Sequence, residues 1–134
     1  MGLDENNTSR DYLYGRLLAI AERMERVALA RAEENRPTNA ERLMQRFADS
    51  PYTTWRQLEM ALQPYRQRLM QGRAGFVTNM DKLMDSILNA FDPEAFMKAG
   101  RLSGEFLLGY HCQRQAFRTA KESGNDEQTQ GENE

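Results

Sequence analysis

Residues 103–121, Ser-Gly-Glu-Phe-Leu-Leu-Gly-Tyr-His-Cys-Gln-Arg-Gln-Ala-Phe-Arg-Thr-Ala-Lys, decide the fold. Ser103 is placed to cap a helix, and Glu105 would lie in its first turn, facing the positive end. Phe106, Leu107, Tyr110 and Phe117 recur at helical spacing and predict one buried stripe. Gly109 interrupts that stripe, and a missing side chain there would admit another backbone. The opposite flank carries Gln113, Arg114, Gln115, Arg118 and Lys121. This last helix therefore has an anchoring face and a polar, cationic face, and the rest of the chain is expected to be the bundle that holds it.

The composition agrees. The chain has 134 residues, enough for one domain around one core. Leucine and alanine occur 14 times each, whereas valine and isoleucine occur only twice each. Helix formers dominate and strand formers are scarce, so the expected class is all-α, a single bundle of about five helices. Residues 1–8 are polar and read as a disordered N-terminus, 9–121 as the bundle, and 122–134 as a disordered acidic tail.

Working back along the chain, Leu13, Leu17, Ile20, Met24 and Val27 predict a long amphipathic helix from Thr8 or Ser9 to about Glu34, stopped before Pro37. Thr38 and Glu41 form a capping box for a short helix with Leu43, Met44 and Phe47 inward. Trp55, Leu58, Leu62, Tyr65 and Leu69 give the clearest stripe. It begins near Thr53 or Thr54 and stays in phase across Pro64, which predicts a kink rather than a break. Gly72-Arg73-Ala74-Gly75 predicts a turn. A helix from Val77 to Ala90 and a short turn of helix from Glu94 to Lys98 follow. Trp55 and the methionines on these stripes are expected in the core, and Tyr12 and Tyr52, off the stripes, nearer the surface.

Net charge is -2, but all 18 basic residues fall within 10–121, against 13 acidic ones there. Fifteen of the bases are arginine, whose fork suits phosphate better than a lysine ammonium does. The candidate anion-binding residues are Arg16 and Arg23 on the first helix, Arg42 and Arg46 on the second, Arg66, Arg68 and Arg73 around the following turn, and Arg114, Arg118 and Lys121 on the last. The same residues are also compatible with surface ion pairs, such as Arg26 with Glu22 and Arg118 with Glu122.

Catalysis finds little support. His111 and Cys112 are adjacent and would point about 100° apart on a helix, so they form no nucleophile–base pair. One histidine and one cysteine are too few for a zinc site, and neither a phosphate loop nor a dinucleotide fingerprint is present. The expectation is a protein without catalytic residues, metal or cofactor. A single cysteine and no long apolar run fit a cytoplasmic protein with no membrane span.

The segment Asp11–Ala28 resembles the Y-L-x-G-R-L-F-A-x-x-E segment near the C-terminus of the large subunit of type I-C CRISPR interference complexes. Asn39-Ala40 and Phe47 resemble its N-A-x-x-x-x-x-x-F segment, and Gly109-Tyr110-His111 with Gln113-Arg114-Gln115 its G-Y-x-H-Q-R-Q ending. In that family the C-terminal helical region is also made separately, by internal initiation, as the small subunit of the complex (Cascade). The resemblance implies a small subunit that docks against the large subunit, the backbone subunits and a second copy of itself. It would lie beside the CRISPR RNA and target DNA and brace the displaced non-target strand. The competing expectation is a helical protein-interaction module that touches no nucleic acid. Salt dependence of single-stranded DNA binding is expected to separate the two, and Arg114→Glu with Arg118→Glu to weaken interference without unfolding the bundle.

Overall fold

The hydrophobic spacing is densest along the first helix, and the structure is centred there. A computed structural model describes residues 2–29 and 36–123, with side chains through residue 120. Among the described residues it contains six helices and no strand: α1 (Arg10–Leu29), α2 (Asn39–Asp49), α3 (Pro51–Met70), α4 (Ala74–Ala90), α5 (Pro93–Met97) and α6 (Glu105–Ser123). The all-α bundle is as expected. The extension of the first helix from Ala30 to Glu34, and the acidic tail from Gly124 onward, lie outside the described residues.

α1 packs against α2, α3, α4 and α6. A single amphipathic stripe does not describe it: Tyr12, Tyr14, Leu17, Leu18, Ile20 and Met24 are all buried, on several sides. The helix can be enclosed because Ala19 and Ala21 are small and because the buried Tyr12, Tyr14, Arg16 and Glu22 find polar partners, while Glu25 leaves one carboxylate oxygen without one. Tyr14 sits in an aromatic cluster, stacked on Phe96 and edge-on to Phe47 and Phe91. Its hydroxyl donates to the Phe96 carbonyl at 2.6 Å, so the ring is buried without an orphaned polar atom. Tyr12, expected near the surface, is 1% exposed. Its hydroxyl accepts from the Asp4 amide at 2.9 Å, a contact that ties down the chain ahead of α1.

The capping box of α2 forms as its sequence predicts. The Glu41 amide donates to Thr38 Oγ1 at 3.0 Å, and the Thr38 amide donates to Glu41 Oε1 at 2.8 Å. α3 starts earlier than expected, with Pro51 in its first turn, where a missing N–H is harmless. It then runs unbroken through Pro64. The residue four before that proline, Met60, is 75% exposed, so the hydrogen bond the proline cannot make is missing on a solvent-facing side of the helix. α4 starts at Ala74 rather than Val77 and takes Gly75 into the helix. Trp55 is buried, as its stripe predicts, and Met24 with it, while Met44, Met80 and Met84 pack against the core.

α6 lies alongside α1 and runs in the same direction. Ser9 Oγ donates to Glu105 Oε1 at 2.6 Å, the Tyr12 backbone faces Gly109, Arg16 reaches Gln113, and Arg23 lies over Phe117. The two helices touch through glycine on both sides. A Cβ added at Gly15 would lie 2.0 Å from the Phe106 carbonyl oxygen, and one at Gly109 would lie 2.1 Å from that of Tyr12. The close approach predicted at Gly109 is therefore present, and Gly15 is its counterpart on α1. Leu107, expected in the α6 stripe, is instead 46% exposed. Gln113, expected on the polar flank, is 2% exposed. The seam with α1 is rotated toward Gly109 and Gln113, because glycine allows the tightest packing there.

Candidate nucleic-acid interface

Below the glycine crossing, the α1–α6 seam opens into a groove of about 240 Å³ lined by Ala19, Glu22, Arg23, Arg26, Arg114, Phe117 and Arg118. Its floor is a buried polar network. The Tyr110 hydroxyl donates to Glu22 Oε2 at 2.8 Å, and Arg114 Nε pairs with Glu22 Oε1 at 3.2 Å. Burial and the adjacent Glu22 carboxylate both push the Tyr110 phenol well above its ordinary pKa, so it stays a donor. Arg114 also lies over the Tyr110 ring at 5.3 Å, and Arg23 over Phe117 at 5.6 Å. Both are cation–π contacts that fix the guanidinium planes. Arg26 pairs with Glu41 at 3.0 Å. The groove thus carries four guanidinium groups and one carboxylate, with Arg26 held by Glu41 and Arg114 by Glu22.

The ten sequence-selected cations do not form one surface. Arg23, Arg114 and Arg118 meet in the groove. Lys121 belongs to α6, and its side chain lies outside the described residues. Arg42 and Arg46 are exposed on α2, and Arg46 donates to Gln57 Oε1 at 3.2 Å. Arg42 lines a second, mainly apolar groove of about 540 Å³ between α2 and the start of α6, with Met44, Ala48, Leu102, Phe106 and Leu107. Arg66 bridges α3 to α4 through Asp81, and that hydrogen bond raises its pKa. Arg68 Nη1 donates to the Ala28 carbonyl at 3.3 Å, and Arg73 lies over the Phe76 ring.

Arg16 is a correction. It is 5% exposed, with Nε donating to Gln113 Oε1 at 2.7 Å, and burial pulls its pKa below the usual guanidinium range. It follows Gly15 directly, so the close seam that glycine permits encloses the arginine as well. It offers nothing to a phosphate. Arg114 also holds the fold. Its partner Glu22 has a side chain 7% exposed and Arg114 itself is 40% exposed, so Arg114→Glu would set two carboxylates together in a half-buried pair. From this geometry the charge reversal is expected to cost stability, a measurable outcome.

Spacing along the sequence has no means of assigning Phe117, Glu22 and Arg26 to this site. Phe117 falls on the apolar stripe of α6, yet it forms a half-buried wall of the groove. The one signal is the pair of glycines, which set the register that brings Arg23 opposite Phe117. His111 and Cys112 point apart, one exposed and one buried.

The fold and this groove define a class: an all-α bundle with an arginine-lined seam. Among the described residues, no group of three or more His, Cys, Asp or Glu side chains is arranged to hold a metal, and no helix is long and apolar enough to cross a membrane. The chain belongs to the CRISPR-associated protein (Cas_Csd1) family, whose model matches residues 1–118. Comparison with curated proteins found no match.

Proposed function

We propose that the chain is a non-catalytic small subunit of a type I-C CRISPR RNA-guided surveillance complex (Cascade) in the cytoplasm. Its α1–α6 groove holds the displaced, non-target DNA strand by the phosphate backbone. Its other faces dock on the large subunit, the backbone subunits and a second copy of itself. The observation that carries this reading is the groove, which in a CRISPR-associated chain gathers arginines from two helices around an aromatic wall. Exchanging a DNA duplex for an RNA–DNA hybrid is nearly balanced in energy, so a few backbone contacts to the freed strand can tip it. Such contacts need no base readout and no catalytic residue.

The test is the salt dependence of single-stranded oligonucleotide binding by the isolated chain. Two or three phosphates neutralised in the groove give a log–log slope of about -1.4 to -2.1. Arg23→Gln with Arg118→Gln, which spare the Glu22 network, should flatten the slope by about 0.7 per arginine. An unchanged slope and affinity would remove the groove from consideration. The second reading, a protein-interaction module without nucleic-acid contact, draws on the apolar α2–α6 groove and the exposed Leu107 beside it. It predicts no salt-dependent binding at all.

A further inference from the structure

The groove lies near the C-terminal end of α6. Arg114, Phe117 and Arg118 line it, and α6 ends at Ser123, five residues beyond Arg118. The eleven residues that follow, 124–134, contain Asp126, Glu127, Glu132 and Glu134 and no basic residue. We infer that this acidic segment is an intramolecular occupant of the arginine groove, a competitor that a nucleic-acid strand must displace.

Two observations support it. The first is charge complementarity: four carboxylates in the segment, against a groove lined by four arginines, of which Arg26 is paired with Glu41 and Arg114 with Glu22, so the lining stays net positive. The second is reach. Five helical residues span about 7.5 Å, at about 1.5 Å per residue. Eleven residues can extend to roughly 36–40 Å, so the segment covers the distance back to Arg118 and Arg114 several times over. A short tether gives the segment a local concentration on the order of millimolar, so even a weak carboxylate–guanidinium contact competes with a strand at micromolar concentration. The contact is exposed and screened over about 10 Å at 0.1 M salt, so the competition fades as salt rises. The effect would favour strands delivered to the groove by an assembly over strands met in solution.

This inference deepens the nucleic-acid reading, and the test keeps the two separate. In the full chain, Asp126→Asn, Glu127→Gln, Glu132→Gln and Glu134→Gln are introduced together. A control carries Asp85→Asn and Glu94→Gln, both on exposed positions of other helices. The arginine Nε–H resonances of Arg23 and Arg118 and the affinity for a single-stranded oligothymidine are measured at low and high salt. The expected result is movement of both resonances in the tail variant only. It is accompanied by roughly threefold or more tighter DNA binding at low salt, a difference lost at high salt. Movement of the resonances with no DNA binding in any form keeps the tail contact and overturns the nucleic-acid reading. Resonances that stay in place overturn the inference, and DNA binding that then remains salt-dependent leaves the nucleic-acid reading intact. Equal tightening per charge removed in tail and control variants would also overturn it, since net charge alone would account for the gain.

Discussion

Gly15→Ala gives the sharpest test of the architecture, because two physical effects predict opposite signs. Alanine in a helix is favoured over glycine by up to about 1 kcal/mol. Packing says the reverse. The new Cβ would stand 2.0 Å from the Phe106 carbonyl oxygen and 2.6 Å from the Tyr110 amide nitrogen. A carbon–oxygen contact settles at roughly 3.3–3.6 Å, so α1 and α6 must separate by about 1.3–1.6 Å. Both opposing atoms are backbone, so no side chain can swing aside. Overpacking of this kind costs about 1–3 kcal/mol, and the upper end applies here. Parting the seam also lengthens the Arg16–Gln113 and Tyr110–Glu22 hydrogen bonds, each worth about 1 kcal/mol. After the propensity gain, the net loss is about 2–4 kcal/mol, a large share of the ~5–15 kcal/mol that holds a domain together. For a chain of this length that lowers Tm by roughly 8–15 °C. Urea and thermal unfolding followed by far-ultraviolet circular dichroism would measure it. Gly75→Ala is the control: it lies inside α4 with nothing within 4 Å of the added Cβ, and it should gain up to about 1 kcal/mol. Gly109→Ala should resemble Gly15→Ala, and the double variant should lose less than the sum, since one separation relieves both clashes. If Gly15→Ala raised Tm as Gly75→Ala does, α1 and α6 could not meet at the close seam that the two glycines imply.

Other outcomes follow from the buried polar groups. Arg16→Ala should cost about 1–3 kcal/mol by orphaning Gln113, with little change in the salt slope of DNA binding; a flattened slope at full stability would return Arg16 to the surface. Arg114→Glu should destabilise by about 2–3 kcal/mol, below the ~3–5 kcal/mol for breaking a fully buried pair because Arg114 is 40% exposed, and Glu22→Gln in the same chain should restore part of the loss. Glu25 is buried, accepts from the Asn39 amide at 2.8 Å through Oε1, and has no partner at Oε2; burial raises its pKa above the usual carboxylate range, against the lowering effect of Arg36, Arg42 and Arg26. A raised carboxyl pKa penalises folding above that pKa and not below the unfolded value. Glu25→Gln should therefore stabilise at pH 7 relative to the parent, and the gain should shrink as pH falls through the folded pKa into the ordinary carboxylate range. A gain that is the same at pH 7 and pH 4 would assign it to something other than ionisation.

Much of this protein is legible in its sequence alone. Scarce β-branched residues and repeated 3-4 spacings set the class, because a helix needs only local hydrogen bonds and one apolar face. Thr38 and Glu41 announce their cap, since both partners lie within one turn of chain. Gly109 announces a close approach, since glycine inside an apolar stripe is otherwise a loss. Spacing along one helix, however, says nothing about which neighbour covers which side. Tyr12 looks peripheral by its spacing and Arg16 looks available to an anion, yet both are enclosed, because α6 comes within glycine distance of them. Leu107 looks interior and is half outside, because the α6 seam follows Gly109 and Gln113. The arginines show the same division. Their number, fifteen in 134 residues, is a property of the sequence. Which of them share a groove, which are consumed by Glu22, Glu41 and Asp81, and which is buried all depend on how the helices meet, above all on the register of α1 against α6. That register is fixed by contacts such as Arg16 with Gln113, 97 positions apart, where steric fit between two backbones outweighs any local preference.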